Sequence, residues 1–482
     1  MKINQAIIKK SLVLTLTVCV CAGSFSACGQ NKEGIIEEIP IEAPMQVNAP
    51  EVLSIMAGDL EGNMNPFTAE SEGDLLACSL TNIPLIETDR NGEIIFKGIE
   101  GEDRKTGENN YRYYGLSDVS VERNDDGSAV IDFKIREDVK FFNGRNLTAD
   151  DVIFSIEAAA SEEYDGLFSL KDADITSVEK IGDYEVKVSV DGYLITKLSL
   201  FEIPVVSHEG FSSSKEIFMD GKVTMGAGPY SFDRILGEEL YLKYNPFYYK
   251  GMPQISSLIL RESRGEYSFF TKENLPVAEY IGISSKRVDA GIREAVMSTI
   301  KNAPDAAAES ISKFENLLPV TLYTIGFEGS QSLEILKSVA PALSDLGINL
   351  KIESFDDETE WKSALESKDY DIFGAGIIKN SPYYIFSMFH GDNAYDVSDD
   401  ILKLLLLKYA FSTSKDEAED ALESLKAKLD SMYIYYELPT EVKDPLVSPG
   451  MVDTASLPAD MTGFYNWIDE AEKLRIKKQS PF

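Results

Sequence analysis

The chain has 482 residues, 44% hydrophobic and 26% charged, which is enough apolar material for a large buried core and excludes global disorder. Lys and Arg number 46 against 81 Asp and Glu, giving a net charge of −35; such a surface repels a phosphate backbone, so nucleic acid is excluded as a partner. With four cysteines and two histidines, the chain lacks both a disulfide framework and a His-rich or Cys-rich metal site.

At the start, Lys2, Lys9 and Lys10 precede an apolar run from Ser11 to Ala22 that is too short to span a bilayer. Phe25-Ser26-Ala27-Cys28 follows as a small-residue cleavage site, so residues 1–27 read as an export leader. This pattern resembles the lipobox of bacterial lipoproteins. The resemblance implies a mature chain beginning at Cys28, whose sulfur carries a lipid and holds the protein on the extracytoplasmic face of the cell membrane; an ordinary secretory signal is the alternative. Residues 28–50, rich in Glu and Pro, suit a flexible tether.

Val52 to Ile55 reads as a first strand and Asn63 to Phe67 as a turn. Ile131, Phe133 and Ile135 alternate with Asp132, Lys134 and Arg136, which predicts a half-buried strand over 129–136. Asn143-Gly144 turns the chain, and Thr148 with Asp151 three residues on forms a capping box before the apolar face of Val152, Ile153 and Ile156. Tyr184, Val186, Val188 and Val190 alternate in turn, and Tyr230 and Leu240 to Tyr244 supply further strands.

The second half changes pattern. Val320 to Phe327 reads as a strand, Ser332 to Leu346 as a helix with Gly347 at its end, and Ile348, Leu350 and Ile352 as the next strand. Glu358 to Ser367 is a helix and Tyr370 to Ile377 a strand, so the order is βαβαβ, which predicts a parallel sheet. Pro341 predicts a kink or an earlier end of the first of these helices.

The stretch Val139-Lys140-Phe141-Phe142-Asn143-Gly144-Arg145-Asn146-Leu147-Thr148-Ala149-Asp150-Asp151-Val152 is very similar to the signature of the family 5 extracellular solute-binding proteins, the oligopeptide-, dipeptide- and nickel-binding type. Gly226-Ala227-Gly228-Pro229-Tyr230 and Asn245-Pro246-Phe247-Tyr248-Tyr249 resemble two more of its segments, in the family's order. The resemblance implies an α/β, two-lobed periplasmic-binding-protein-like fold (type II, cluster C-like) with mixed sheets. It further implies a monomer that closes on a small ligand, a peptide or peptide-like compound first, and delivers it to an ABC permease complex. On this reading residues 51–259 form the first lobe, with a strand-rich subdomain at about 83–170. Residues 260–458 form the second lobe, and 459–482 return to the first.

Two departures stand out. Between Leu260 and Tyr280 the chain is shorter than its relatives, and so is the stretch from Ala303 to Phe314, which leaves room for a second function: a degenerate member serving surface interaction or signal sensing without transport. In peptide-binding members an aspartate on the second lobe meets the ligand's ammonium. The matching stretch here runs Ile377, Ile378, Lys379, Asn380, Ser381, Pro382, Tyr383, Tyr384, with Asn380 in the aspartate's place and Lys379 beside it. Asp392 or Asp371 could substitute. By this resemblance Ile377, Lys379, Asn380, Tyr383 and Tyr384 are the ligand-binding candidates, while Phe386 and Phe389 read as core.

No cofactor is expected. His208 and His390 stand apart in sequence, Asp356-Asp357-Glu358 suits a helix N-terminus better than calcium, and no nucleophile elbow or phosphate loop is present, so an enzyme is not expected.

Overall fold

The structure is a computed structural model and describes residues 51–482, save 107–108, 220–222, 263–276, 302–317, 379–383, 392, 439–451, 459–460, 462–464 and 478–482. The chain opens with β1 (Val52–Met56), whose Leu53 and Ile55 point into a core, and α1 (Glu72–Thr81), capped by Ser71. Short β2 (Ile83–Pro84) is followed by the hairpin β3 (Glu102–Thr106) and β4 (Asn109–Tyr113), and then by β5 (Ser117–Arg123) and β6 (Ala129–Ile135). In β6 Ile131 and Phe133 are fully buried and Lys134 is exposed, as the alternation predicts.

The Asn143-Gly144 turn forms with Gly144 at φ +85°, and α2 (Ala149–Ala159) starts where the capping box sets it, the Thr148 backbone N donating to Asp151 Oδ2 at 2.9 Å. β7 (Ile175–Gly182) and β8 (Glu185–Val190) complete an antiparallel sheet in the order β5-β6-β8-β7. After α3 (Ile195–Ser199) and β9 (Pro204–Val205), which pairs β2, the chain forms β10 (Tyr230–Leu236), β11 (Glu239–Tyr244) and β12 (Ser257–Arg261). These make a sheet in the order β1-β12-β11-β10, parallel only between β1 and β12. Trp467, Ala471 and Leu474 join its core, and Val452 bridges to Ile476.

The glycines of Gly226-Ala227-Gly228-Pro229-Tyr230 serve close packing. Gly228 N donates to Thr81 O at 3.0 Å, and a Cβ there would lie 2.5 Å from the Thr81 carbonyl carbon. Asn245 secures the same turn, donating from Nδ2 to Gly228 O at 2.9 Å.

A five-stranded sheet combines β13 (Val277–Ile283), β14 (Val320–Phe327), β15 (Ile348–Phe355), β16 (Ile372–Ile378) and β17 (Tyr435–Glu437) in the order β15-β14-β16-β13-β17. β14 is parallel to β15 and β16, as βαβαβ demands, whereas β13 and β17 run antiparallel and make the sheet mixed. Helices α4 (Ala290–Lys301) and α5 (Gln331–Asp345) pack on one face. α5 continues through Pro341 to Asp345, so the helix does not end early; its apolar stripe of Leu333, Leu336, Val339 and Leu343 is buried while Pro341 is exposed. α6 (Glu358–Ser367) is capped by Asp357, which accepts from Glu360 N at 2.9 Å. α7 (Tyr384–Phe389) precedes the pair α8 (Asp400–Ala410) and α9 (Lys415–Met432).

That helical pair seals against the strand-rich module: Tyr193 OH donates to Ser412 O at 2.9 Å, and the Arg123 guanidinium lies 4.3 Å over the Phe411 ring. Among the described residues no helix is long and apolar enough to cross a membrane.

Candidate functional site

In open α/β sheets ligands lie beyond the carboxyl ends of the parallel strands. Here that edge gathers the ends of β14 and β16, the start of β13 and, because β17 is antiparallel to β13, the end of β17 at Glu437. Among the carboxylates at this edge are Glu279 and Glu437. Glu279 in β13 accepts from Ser332 N at 2.8 Å, in the first turn of α5, where the helix dipole favours negative charge.

Glu437, paired in register with Tyr280, accepts at Oε2 from Tyr384 OH at 2.6 Å and from Tyr435 OH at 2.8 Å. Burial, then the Glu437 charge, holds the Tyr384 phenol well above its ordinary range; burial, Tyr384 and Glu437 do the same for Tyr435. Both phenols therefore stay protonated as donors to a carboxylate.

Beside this triad lies an aromatic wall. Tyr280, Phe373 and Tyr435 surround Tyr395, with Tyr395 stacked on Phe389 at 4.4 Å between ring centroids. Phe386 and Phe389 are 9% and 3% exposed and serve the core. Of the sequence candidates, Tyr384 is a member of the triad, and the backbone of Ile377 lies in the last turnings of β16, opposite Ala278. Lys379, Asn380, Tyr383 and Asp392 lie outside the described residues, as do Cys28 and the stretch Ala303–Phe314. Asp371 stands at the opposite, amino end of β16, where it accepts from Arg287 Nε at 3.0 Å and Tyr323 N at 2.8 Å, so it does not substitute at the carboxyl edge.

Sequence reasoning missed Glu437 and Tyr435. Tyr384 and Glu437 are 53 positions apart, and β17 is only three residues long, too short to show an alternation. Among the described residues no group of three or more His, Cys, Asp or Glu could hold a metal ion. His208 instead shares a structural hub: the fully buried Asp151 side chain receives Arg145 Nη2 at 2.6 Å and approaches His208 Nδ1 at 2.7 Å. His390 stacks on Phe386 at 4.4 Å.

Comparison with known proteins places residues 116–265 in the sequence profile described as bacterial extracellular solute-binding proteins, family 5 middle. The oligopeptide-binding protein AppA of Bacillus subtilis (strain 168) is 28% identical over 174 residues, which is 32% of this chain and 32% of AppA, so the chain aligns with about a third of that relative's length. Among solved structures, the unliganded open form of the periplasmic murein tripeptide binding protein MppA superposes with a TM-score of 0.67 at 14% identity, covering 90% of this chain and 98% of MppA. HbpA2 from Haemophilus parasuis gives 0.62 at 15% identity, covering 89% and 100%. At such identity the structural likeness establishes the fold alone: a mixed α/β, two-lobed architecture.

Proposed function

From a chain that resembles the family 5 extracellular solute-binding proteins in sequence and shares their two-lobed fold, we propose a receptor that captures a peptide or peptide-like ligand between its lobes and hands it to an ABC importer. The lobes are 51–259 with 459–482, and 260–458. The observation that carries the ligand class is Glu437, a carboxylate held at the binding edge by Tyr384 and Tyr435.

Asn380 removes the charge that peptide-binding members use against the ligand's ammonium. Glu437 offers one from β17, where the phenols of Tyr384 and Tyr435 hold the carboxylate in place for a charge-assisted bond. Tyr384 thereby positions Glu437 as well as offering a ring face to the ligand. Closure follows from contacts made to both lobes at once, which favour the closed population in proportion to their differential free energy.

Isothermal titration with a panel of unmodified and N-acetylated tripeptides tests this reading. Free peptides should bind and acetylated ones should not, and Glu437→Gln should weaken binding about tenfold to a hundredfold, the ~1.5–3 kcal/mol of a hydrogen bond to a charged group. Equal affinity for acetylated peptides would remove Glu437 from the role. Silence across peptides, amino acids, sugars and metal chelates would instead favour a binding-deficient surface lipoprotein, the reading that the short stretch after Leu260 supports.

The proposal places the protein on the outer face of the cell membrane through a lipid on Cys28. Cys28→Ser should move it from the membrane to the soluble fraction and abolish incorporation of labelled palmitate.

A further inference from the structure

The sheet β1-β12-β11-β10 has one face in the core and one turned away from it. Leu53, Leu242 and Leu258 point into the core, so by alternation Val52, Lys243 and Ser257 point outward. Register sets these three in one row, Val52 beside Ser257 and Ser257 beside Lys243, and paired residues share a face. Val52 is 43% exposed and the Lys243 side chain 45%.

The loop that turns at Asn143-Gly144 lies against this row. Lys243 Nζ stands 4.5 Å over the Phe142 ring, and Lys140 Nζ stands 6.0 Å over the ring of Phe247, which is exposed. Lys243 is 4.0 Å from Asp233, beyond hydrogen-bond reach, and Asp233 is itself held by Arg234; Glu51, whose carbonyl accepts from Ser256 N at 2.9 Å, adds one more negative charge. Lys140, Lys243 and Arg234 thus stand against Asp233 and Glu51, a local surplus of positive charge on a chain with 81 Asp and Glu to 46 Lys and Arg. Ammonium groups over aromatic rings beside an exposed valine suit a membrane–water interface, where cations meet lipid phosphates and apolar groups lie among the headgroups.

Position identifies the surface. On the proposed lipid anchor, Cys28 and Glu51 are 51 − 28 = 23 positions apart. A tether of that length spans roughly 26 Å, close to the radius of gyration of about 22 Å expected for a compact chain of about 430 residues, so the side that carries Val52 is held nearest the bilayer.

We propose that this row and its neighbouring loop rest on the phospholipid headgroups of the membrane that holds the anchor, with Lys140 and Lys243 on lipid phosphates and Phe247 and Val52 among the headgroups. The inference rests on the Cys28 anchor and is independent of what the cleft takes. The tether supplies proximity and the patch supplies orientation. Two lysines are too few to hold the chain without its tether, so Cys28→Ser still releases it.

Acetylation footprinting tests this on the mature lipoprotein, purified with its lipid and reconstituted in vesicles of phosphatidylcholine and phosphatidylglycerol, against the lipid-free Cys28→Ser chain. On vesicles Lys140 and Lys243 should react at least fivefold more slowly, while Lys215 and Lys403, exposed on other elements, keep their rates. Phe247→Glu should return both lysines toward the lipid-free rate with vesicle flotation unchanged; should that variant fail to fold, Val52→Glu, also at an exposed position, carries the same expectation. Floating protein whose Lys140 and Lys243 react as in the lipid-free chain overturns the proposal and leaves the anchor standing, whereas a chain that does not float fails the anchor and the proposal with it. Protection that rises with protein density at fixed lipid composition would assign the face to a second copy and would also overturn it.

Discussion

At the scale of single residues, the motif around Asn143 to Val152 is a scaffold built on one carboxylate. Asp151 is fully buried, and although burial acts to raise its pKa, the bonds from Arg145, Thr148 N and His208 bring it below the ordinary carboxylate value. Removing one partner of such a buried pair leaves the other unmatched, so Asp151→Ala should cost about 3–5 kcal/mol in urea unfolding. The sign with pH follows from the depressed folded pKa: the contribution is present above about pH 4 and is lost as pH falls toward the folded value. Acid unfolding should therefore begin at higher pH in Arg145→Ala than in the parent chain. Gly228 acts through space instead of charge, since its missing Cβ lets the turn touch the end of α1.

Elements were legible where one face is buried and the other wet. β6, β8 and β15 alternate plainly, and α2 and α6 announce their starts through Thr148 and Asp357. Legibility stopped where contacts are long-range. β17 is recognised only by its pairing to β13. α5 shows a local rule losing to tertiary packing. A proline inside a helix costs about 3 kcal/mol through its lost N–H and its clash with the preceding turn, yet four buried residues of the stripe keep α5 intact to Asp345. Because Pro341 is exposed, Pro341→Ala removes that penalty without opening the core, and should raise stability by about 1–3 kcal/mol in thermal or urea unfolding. No gain would mean that α5 has adjusted around the proline at negligible cost.

At the scale of the whole molecule, stability and motion answer to different groups. Burial pushes the Asp469 carboxyl up to about 7, so the folded chain holds a proton that the unfolded chain has released from about pH 4 upward. Stability from this group falls as pH rises through that window, and the urea midpoint should decline from pH 5 to pH 8, a decline that Asp469→Asn should flatten. An unchanged slope in the variant would assign the decline elsewhere. The hydrogen bond from Tyr193 to Ser412 ties the strand-rich module to the α8–α9 pair, so the closure proposed on ligand binding should appear in small-angle scattering as a modest drop in radius of gyration that Tyr193→Phe enlarges.

One buried sulfur makes such movement directly measurable. Cys78 is 3% exposed in α1, and burial, helped by Asp74, lifts its thiol to about 12, so the reactive thiolate is scarce at neutral pH. If, as proposed, the leader is removed and Cys28 carries a lipid, cysteines introduced one on each proposed lobe would be the reactive positions, ready to carry a spin-label pair on the otherwise unaltered chain. Distances between the labels would then report how far apart the two lobes stand at rest and whether any candidate ligand draws them together.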